Sequence, residues 1–208
     1  MIDCILCSGK TKKIYTGQHG NYYQCGNCRS VILDPDDYIS PDEEKQRYLE
    51  HNNDVNDPGY QNFVSPVVES VLKNQNPEDT GLDYGAGTGP VISKLLQDKG
   101  YTIIPYDPLF IKNDVLNTKY DYIVCCEVIE HFHNPYQEFR LLKELLQNKG
   151  VLYCMTYLYD ENIDFKSWKY KDDQTHVIFY HKKAVQWIQK TLGFSKVEIN
   201  GRLISFYL

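Results

Sequence analysis

The chain of 208 residues is long enough for one ordinary α/β domain and a small extra module, but two full domains would be crowded. Hydrophobic residues make up 42% and charged residues 24%, and no apolar run approaches the roughly 20 residues that span a bilayer. The net charge of −6 divides into +3 over residues 1–33 and −9 beyond them, so only the N-terminal segment could favour nucleic acid. No secretory leader is recognised, and we expect a cytoplasmic protein.

Two Cys-x-x-Cys pairs mark the first 33 residues. Cys4 and Cys7 form the first pair and Cys25 and Cys28 the second, with seventeen residues between the pairs and a turn expected at Gly20-Asn21. This spacing is typical of a zinc ribbon, and four thiolates would close the coordination shell of a structural ion. The alternatives are four buried thiols, for which the segment has few apolar neighbours, or a redox pair, for which the usual helix is missing.

The next segment, residues 34–79, is interpreted as a linker followed by N-terminal helices. Ser40 precedes Pro41, and Glu43 stands three positions after Ser40, which together predict a helix start. A second, amphipathic helix is predicted from apolar residues at helical spacing, namely Phe63, Val67, Val68, Val71 and Leu72.

From residue 80 onward, predicted strands and helices alternate. Strands are predicted at 81–84, 101–106, 120–126 and 151–156, helices at 90–99, 134–150 and 182–192, and a C-terminal hairpin at 197–208. Short connections between such elements predict an α/β fold with a mostly parallel sheet and helices on both faces. We expect a Rossmann-like sheet of seven strands by analogy, one more than the six strands placed here. The expected domains are therefore a ribbon at 1–33, a linker at 34–79 and the α/β domain at 80–208.

A glycine-rich loop follows the first of these strands. In the segment 82–89, which reads LDYGAGTG, glycines would let the backbone approach a ligand. A dinucleotide fingerprint needs a further glycine where Pro90 stands, which argues against a nicotinamide oxidoreductase. Asp107 closes the second strand, where a carboxylate can accept hydrogen bonds from ribose hydroxyls. The two motifs together indicate a nucleoside ligand.

These motifs, with the strand and turn at 120–131 (YDYIVCCEVIEH), resemble class I S-adenosylmethionine (SAM)-dependent methyltransferases over roughly residues 60–208. The resemblance implies that the glycine loop borders the methionine part of SAM, that Asp83 lies near its ammonium group and that Asp107 holds the ribose. Adenine would lie near Asp114 and Cys126. The implied SAM-binding residues are Asp83, Gly85, Ala86, Gly87, Asp107, Asp114, Cys126 and Tyr60.

Residues for the chemistry are expected at the carboxyl ends of the strands. Glu127, His131 and His176 are the candidate catalytic residues. With Glu130 they resemble the E-x-x-E-H motif and distant histidine of magnesium-dependent O-methyltransferases, which implies a divalent metal and O-methylation. The alternative is a metal-free site in which these residues are structural or provide a general base.

Aromatic residues surround these candidates in the sequence. The loop 157–180 contains Tyr157, Tyr159, Trp168 and Tyr170, which could stack on a planar acceptor or pack as a plain cover. Upstream residues could close over SAM as a lid or belong to a polar connector, namely Tyr48, His51 and Tyr60.

The favoured hypothesis is a SAM-dependent methyltransferase that acts on a small molecule and that carries structural zinc. The alternatives are an RNA methyltransferase and a non-catalytic SAM-binding protein whose ribbon docks a partner protein. No membrane partner is expected.

Overall fold

The structure is a computed structural model that describes residues 2–50 and 54–208. The strands are Thr11–Gly17 (β1), Gly20–Cys25 (β2), Val31–Leu33 (β3), Thr80–Tyr84 (β4), Thr102–Tyr106 (β5), Tyr120–Cys126 (β6), Leu146–Met155 (β7), Ile178–Phe179 (β8), Lys196–Asn200 (β9) and Leu203–Tyr207 (β10). The helices are Pro41–Leu49 (α1), Pro58–Asn74 (α2), Val91–Gln97 (α3), Pro135–Glu144 (α4) and Lys182–Leu192 (α5). None of these helices is both long and apolar enough to cross a membrane. The alternation of strands and helices confirms the predicted α/β class.

The main sheet has six strands in the order β5-β4-β6-β7-β10-β9. The pairings among β5, β4, β6 and β7 are parallel, whereas β10 is antiparallel to both β7 and β9. The prediction of seven strands is wrong for the part of the chain that the structure describes. Between β5 and β6, residues 107–119 form turns and one bridge between Asp107 and Ile111. A further parallel strand would need its own crossover of about a dozen residues, for which this connection is too short.

Helices cover both faces of this sheet. Tyr122 and Val124 of β6 lie in one apolar cluster with buried residues of α2 and α3, whereas Ile123 and Cys125 lie in another cluster with α4 and α5. The alternation follows from the period of two along a strand. Cys125 is thus a small core residue.

Helix α1 begins where the sequence predicts, and α2 contains the predicted apolar residues. Ser40 Oγ accepts a hydrogen bond from the Glu43 N–H, and Glu43 Oε2 accepts one from the Ser40 N–H, which completes a capping box for α1. Asp57 caps α2, which buries Val64, Val67, Val68 and Val71. Both helices lie beside the carboxyl edge of the sheet, because residues of each line the cavity described below.

The prediction that the fourth helix continues to residue 150 is wrong. Helix α4 ends at Glu144, and Leu146 is already in β7, where it pairs with Tyr120. Leu146 is fully buried there, so pairing within the sheet outweighs the helical spacing of the leucines. Lys149 has φ +68° next to Gly150, which allows an irregular register at this point.

A second, smaller sheet has the order β1-β2-β3-β8. Gly17 pairs with Gly20, so the tight turn of the first hairpin lies at 18–19 and not at Gly20-Asn21 as predicted. The sequence analysis missed β8, which pairs with β3 through Val31 with Phe179 and Ile32 with Ile178. The N-terminal segment and the distal loop therefore share one sheet.

Candidate active site

A cavity of about 720 Å³ opens at the carboxyl ends of β4, β5 and β6. This is the edge at which open α/β sheets bind ligands. Its glycine end is formed by Gly85–Thr88 and Asp107, and its histidine end by Glu127, His131 and His176. Other lining residues are Glu44, Tyr48, Tyr60, Phe63, Tyr84, Cys126, Val128, His133, Glu138 and Asp173. Most of the site residues predicted from the sequence therefore lie around one cavity.

The glycine loop needs glycine for two different reasons. Gly85 has φ +82°, and a Cβ there would lie 2.5 Å from Val128 Cγ2, so a side chain is excluded. Gly87 has φ +61° but open space around it, so only its backbone conformation favours glycine. The N–H groups of Gly85 and Ala86 donate to Tyr106 O at 2.8 and 3.0 Å, which fixes the loop against β5.

Asp107 links this loop to the end of β5. Its Oδ2 accepts a hydrogen bond from the Gly87 N–H at 3.0 Å, and its Oδ1 accepts from the N–H groups of Leu109 and Phe110 at 2.8 and 3.1 Å. The side chain is only 8% exposed and lines the cavity. A carboxylate held in this way is preorganised to accept further hydrogen bonds from a ligand at the glycine end.

Two other predicted cofactor residues do not line the main cavity. Asp83 accepts hydrogen bonds from Ser93 N–H at 3.3 Å and Ser93 Oγ at 2.8 Å, and burial raises its pKa to about 6. Asp114 accepts from Asn117 Nδ2 and lines a neighbouring depression of about 530 Å³. Cys126 and Tyr60, in contrast, both line the main cavity.

Glu127 stands at the centre of the histidine end in an unusual backbone conformation. Its φ of +51° is in the left-handed region, which is uncommon for a residue other than glycine and often marks a functional position. Its Oε2 accepts a hydrogen bond from Tyr170 Oη at 3.1 Å, and its Oε1 lies 3.4 Å from Arg202 Nη1. Burial raises the pKa of Glu127, whereas the Tyr170 hydrogen bond and the Arg202 charge lower it.

Arg202 itself is held firmly between two aromatic rings. Its guanidinium lies 4.2 Å from the ring centre of Phe63 and 4.8 Å from that of Tyr157, and Nη2 donates to Phe63 O at 3.2 Å. Such stacking favours arginine over lysine, because the guanidinium is planar and weakly hydrated. Arg202 therefore orients the Glu127 carboxylate.

Glu130 is fully buried beneath the cavity. Its Oε1 accepts a hydrogen bond from Tyr170 Oη, whereas its Oε2 has no hydrogen-bond partner among the described residues. Burial and the nearby charge of Glu127 raise the pKa of Glu130 well above its ordinary value. A buried carboxylate oxygen without a hydrogen-bond partner is stabilised by protonation or by a bound cation.

The two candidate histidines lie together beside Glu130. Their ring centres are 4.8 Å apart, and one potential ligand atom from each of the three residues lies within 4.8 Å of the others. His131 Nδ1 is 3.0 Å from Thr175 O and His176 Nδ1 is 2.7 Å from Tyr170 O. Because a carbonyl oxygen only accepts, each Nδ1 carries the proton. Glu127 is outside this three-residue group, although the sequence analysis included it among the metal ligands.

The structure separates the lid residues from the aromatic cover. Tyr48 packs edge-on against His131 with 5.3 Å between ring centres, and Tyr60 lines the cavity. His51, also expected in a lid, lies outside the described residues. Tyr159 and Trp168 pack with buried aromatic residues of the small sheet and do not line the cavity. These two residues therefore cover the small sheet and are not placed to stack on an acceptor.

The four N-terminal cysteines form one cluster. Cys4 and Cys28 have their Sγ atoms 3.7 Å apart, Cys7 and Cys25 have theirs 3.5 Å apart, and all four Sγ atoms lie within 4.8 Å of one another. Four sulfurs about 2.3 Å from a tetrahedral zinc ion are separated by roughly 3.8 Å. The cluster therefore fits a zinc ion.

Several residues of the site escaped the sequence analysis. Arg202 stands in the turn before β10, and Thr156 Oγ1 lies 2.9 Å from Tyr170 Oη. His133 and Glu44 line the cavity. No periodicity or spacing marks these residues, although an arginine beside a predicted turn next to the carboxyl edge would have been a fair candidate.

Comparison with solved structures agrees with the fold described above. A Burkholderia thailandensis 1,6-didemethyltoxoflavin-N1-methyltransferase, solved with 1,6-didemethyltoxoflavin and S-adenosylhomocysteine, is 11% identical, with a TM-score of 0.59 over 94% of this chain and 98% of that one. Magnesium protoporphyrin IX methyltransferase from Synechocystis PCC 6803, with bound S-adenosylhomocysteine, is 15% identical, with a TM-score of 0.52 over 81% of this chain and 94% of that one. At these identities the likeness establishes the fold.

Other solved structures are longer than this chain. The pyocyanin biosynthetic protein PhzM is 12% identical, with a TM-score of 0.51 over 67% of this chain and 53% of that one. The chain spans about half the length of this protein and of several others that it matches.

No curated protein matches the sequence significantly. A family model described as a methyltransferase domain matches residues 58–199, which is more than half of the sequence. The chain therefore belongs to the methyltransferase-domain family.

Proposed function

We propose that the protein transfers a methyl group from SAM to a small-molecule acceptor. The observation that carries this proposal is the single cavity whose glycine end offers a backbone loop with Asp107 and whose histidine end offers Glu127, His131 and His176. When bound, SAM supplies the electrophilic methyl group. The protein would mainly position the two reactants in line and accept a proton where the acceptor carries one.

The glycine end would hold SAM. The glycine loop would approach the methionine part, Asp107 would accept hydrogen bonds from the ribose, and Tyr60 and Cys126 would border the ligand. Asp83 would act indirectly, because its carboxylate is engaged with Ser93 at the start of α3.

Charge at the cavity favours a small molecule over RNA. Its described lining includes five carboxylates, those of Glu44, Asp107, Glu127, Glu138 and Asp173, and no lysine or arginine. A phosphodiester backbone would be repelled there. Size agrees with this preference, since ligand cavities of small molecules lie between roughly 300 and 1,000 Å³.

At the histidine end, Glu127 would act as the general base in an O-methylation. The acceptor hydroxyl would lose its proton to the Glu127 carboxylate as its oxygen forms the bond to the methyl carbon. The bond between that carbon and the sulfur of SAM would break, with S-adenosylhomocysteine as the leaving group. The raised pKa of Glu127 makes it a better base than an exposed carboxylate. Arg202 and Tyr170 would keep the carboxylate in place.

A divalent ion such as magnesium is the second candidate for this end. The observation in its favour is the buried Glu130 oxygen without a partner beside two imidazoles whose Nδ1–H groups are held by carbonyls, as is usual for metal-binding histidines. Such an ion would lower the pKa of an acceptor hydroxyl. Turnover that survives EDTA and does not respond to Mg²⁺ or Mn²⁺ would exclude this candidate.

The proposed activity is tested by calorimetry and by a transfer assay. We expect saturable binding of SAM and S-adenosylhomocysteine to the purified protein, and no binding of NADH. With SAM labelled in its methyl group, label should enter small molecules of a cell extract and not RNA. Label that enters only RNA would favour the RNA methyltransferase, and binding of SAM without any transfer would favour the non-catalytic protein.

We also propose that Cys4, Cys7, Cys25 and Cys28 bind one structural zinc ion. Elemental analysis should find one zinc per chain, and a Cys7→Ser variant should lose most of it. Because binding of structural zinc is coupled to folding, this variant should also unfold at a lower temperature. Cys154→Ser is the control for loss of a thiol elsewhere, and its zinc content should not change. A protein without zinc in which residues 2–33 are ordered would contradict the proposal.

A further inference from the structure

The N-terminal segment has no core of its own. Cys4, Cys25 and Cys28 are buried in the same apolar cluster as Ile129, Ile178 and Tyr180 of the α/β part. We call residues 2–33 the cysteine module. Because its interior is continuous with that of the domain, its folding cannot be independent of the residues around it.

A chain of backbone hydrogen bonds runs from this module to the histidine end. Strand β3 pairs with β8, and the Leu33 N–H donates to Val177 O at 3.0 Å. The Val177 N–H in turn donates to Glu130 O at 3.0 Å. Val177 thus stands between the module and Glu130, and His176 is its neighbour in sequence.

A side chain makes a second connection. Tyr180 is fully buried, and its hydroxyl donates to Ile129 O at 2.9 Å, in the turn that carries Glu130 and His131. The ring of Tyr38, just after the module, lies 4.7 Å from that of His133, which lines the cavity. Tyr180 and Tyr38 both pack in the apolar cluster that contains the module's cysteines, so the turn 129–133 is supported at two points next to the module.

The module also holds the loop that precedes β8. His19 Nε2 is 3.0 Å from Asp172 O, and Arg29 pairs with Glu161 at 3.1 Å. This loop contributes Tyr170, which contacts both glutamates of the site. We propose that the cysteine module positions the histidine end of the cavity, with Tyr180 and the β3–β8 pairing as its connections, rather than serving as a separate recruiting unit.

Hydrogen exchange on the whole chain tests this proposal. The proposal rests on the proposed function, in which the cavity is the active site. In Cys25→Ser, amide exchange should rise about tenfold or more at 127–134 and 170–181, as in the module itself, because the three segments open together. Exchange at 82–97 should stay low, and affinity for S-adenosylhomocysteine should change less than about threefold. Lys13→Ala, on the exposed side of β1, is the matched control and should change none of these.

A second variant keeps the test decisive if Cys25→Ser unfolds the whole protein. Tyr180→Phe keeps the ring and removes one hydrogen bond, so exchange at 129–133 should rise by about two- to tenfold. The Nδ1–H signals of His131 and His176 in NMR spectra should broaden in this variant, whereas a purely structural loss elsewhere would leave them unchanged.

Two results would overturn the inference. One is a module that exchanges freely while 127–134 and 170–181 keep their protection. The other is Tyr180→Phe with unchanged exchange at 129–133 and unchanged imidazole signals. A wild-type protein that fails to bind S-adenosylhomocysteine would contradict the proposed function instead, and the exchange comparison would still decide the role of the module.

Discussion

Replacing Asp107 by alanine is expected to weaken SAM binding by roughly 1–3 kcal/mol, which corresponds to about a 5- to 150-fold loss of affinity. Two effects combine in this loss. The ribose hydroxyls would lose an acceptor, and so would the N–H groups of Gly87, Leu109 and Phe110. Calorimetric titration of each variant with SAM measures the change.

Two further variants separate these effects. Asp107→Asn retains one acceptor oxygen, so its loss should be smaller than that of Asp107→Ala. Asp98→Ala is the matched control, because Asp98 is an exposed carboxylate at the C-terminus of α3 that pairs with Lys94. Equal affinities for Asp107→Ala and the wild type would remove Asp107 from the proposed SAM site.

Local signals explain why much of the fold could be predicted. The capping box at Ser40 and Glu43 acts within four residues, so its meaning does not depend on the rest of the molecule. The positive φ angles of Gly85 and Gly87 agree with a loop interpretation made from glycine spacing alone. Asp107 was expected at the end of a strand and lies there.

Errors arose where distant pairing overrides a local pattern. Leu145 and Leu146 continue the helical spacing of α4, yet Leu146 is held in β7 by Tyr120. Strand β8 is only two residues long and pairs with β3. It lies in the run 177–180 (VIFY), whose β-branched and aromatic residues favour a strand, and the interpretation of 157–180 as one loop overlooked this signal. The count of seven strands rested on analogy, and the connection at 107–119 is too short for a seventh parallel strand with its own crossover.

The same distinction applies to the site. Glu127, His131 and His176 were found because they follow strands or a recognisable motif. Arg202 and Thr156 act only through contacts with residues far away in sequence, so no local pattern marks them. The separation of Glu127 from the group of Glu130 and the histidines also depends on the backbone conformation of Glu127, which spacing alone does not reveal.

The largest loss of turnover is expected for Glu127→Gln. If Glu127 removes the proton from the acceptor, methyl transfer should slow by roughly 10²- to 10⁴-fold, the usual contribution of a general base. Affinity for SAM should change little, because the glycine loop and Asp107 are unaltered. The rate is measured with the small-molecule acceptor found in the transfer assay, at saturating SAM.

Glu44→Gln is the matched control, since Glu44 is another glutamate that lines the cavity but lies on α1. A larger loss in Glu44→Gln than in Glu127→Gln would assign the base to α1 and contradict our choice.

The pH profile adds an independent check on Glu127. The rate of methyl transfer by the wild-type protein should fall as pH drops through the raised pKa of Glu127, because protonation removes the base. In Tyr170→Phe, which lacks a hydrogen bond that lowers this pKa, the fall should begin at a higher pH. Identical profiles in the two proteins would show that another group sets the acid limb.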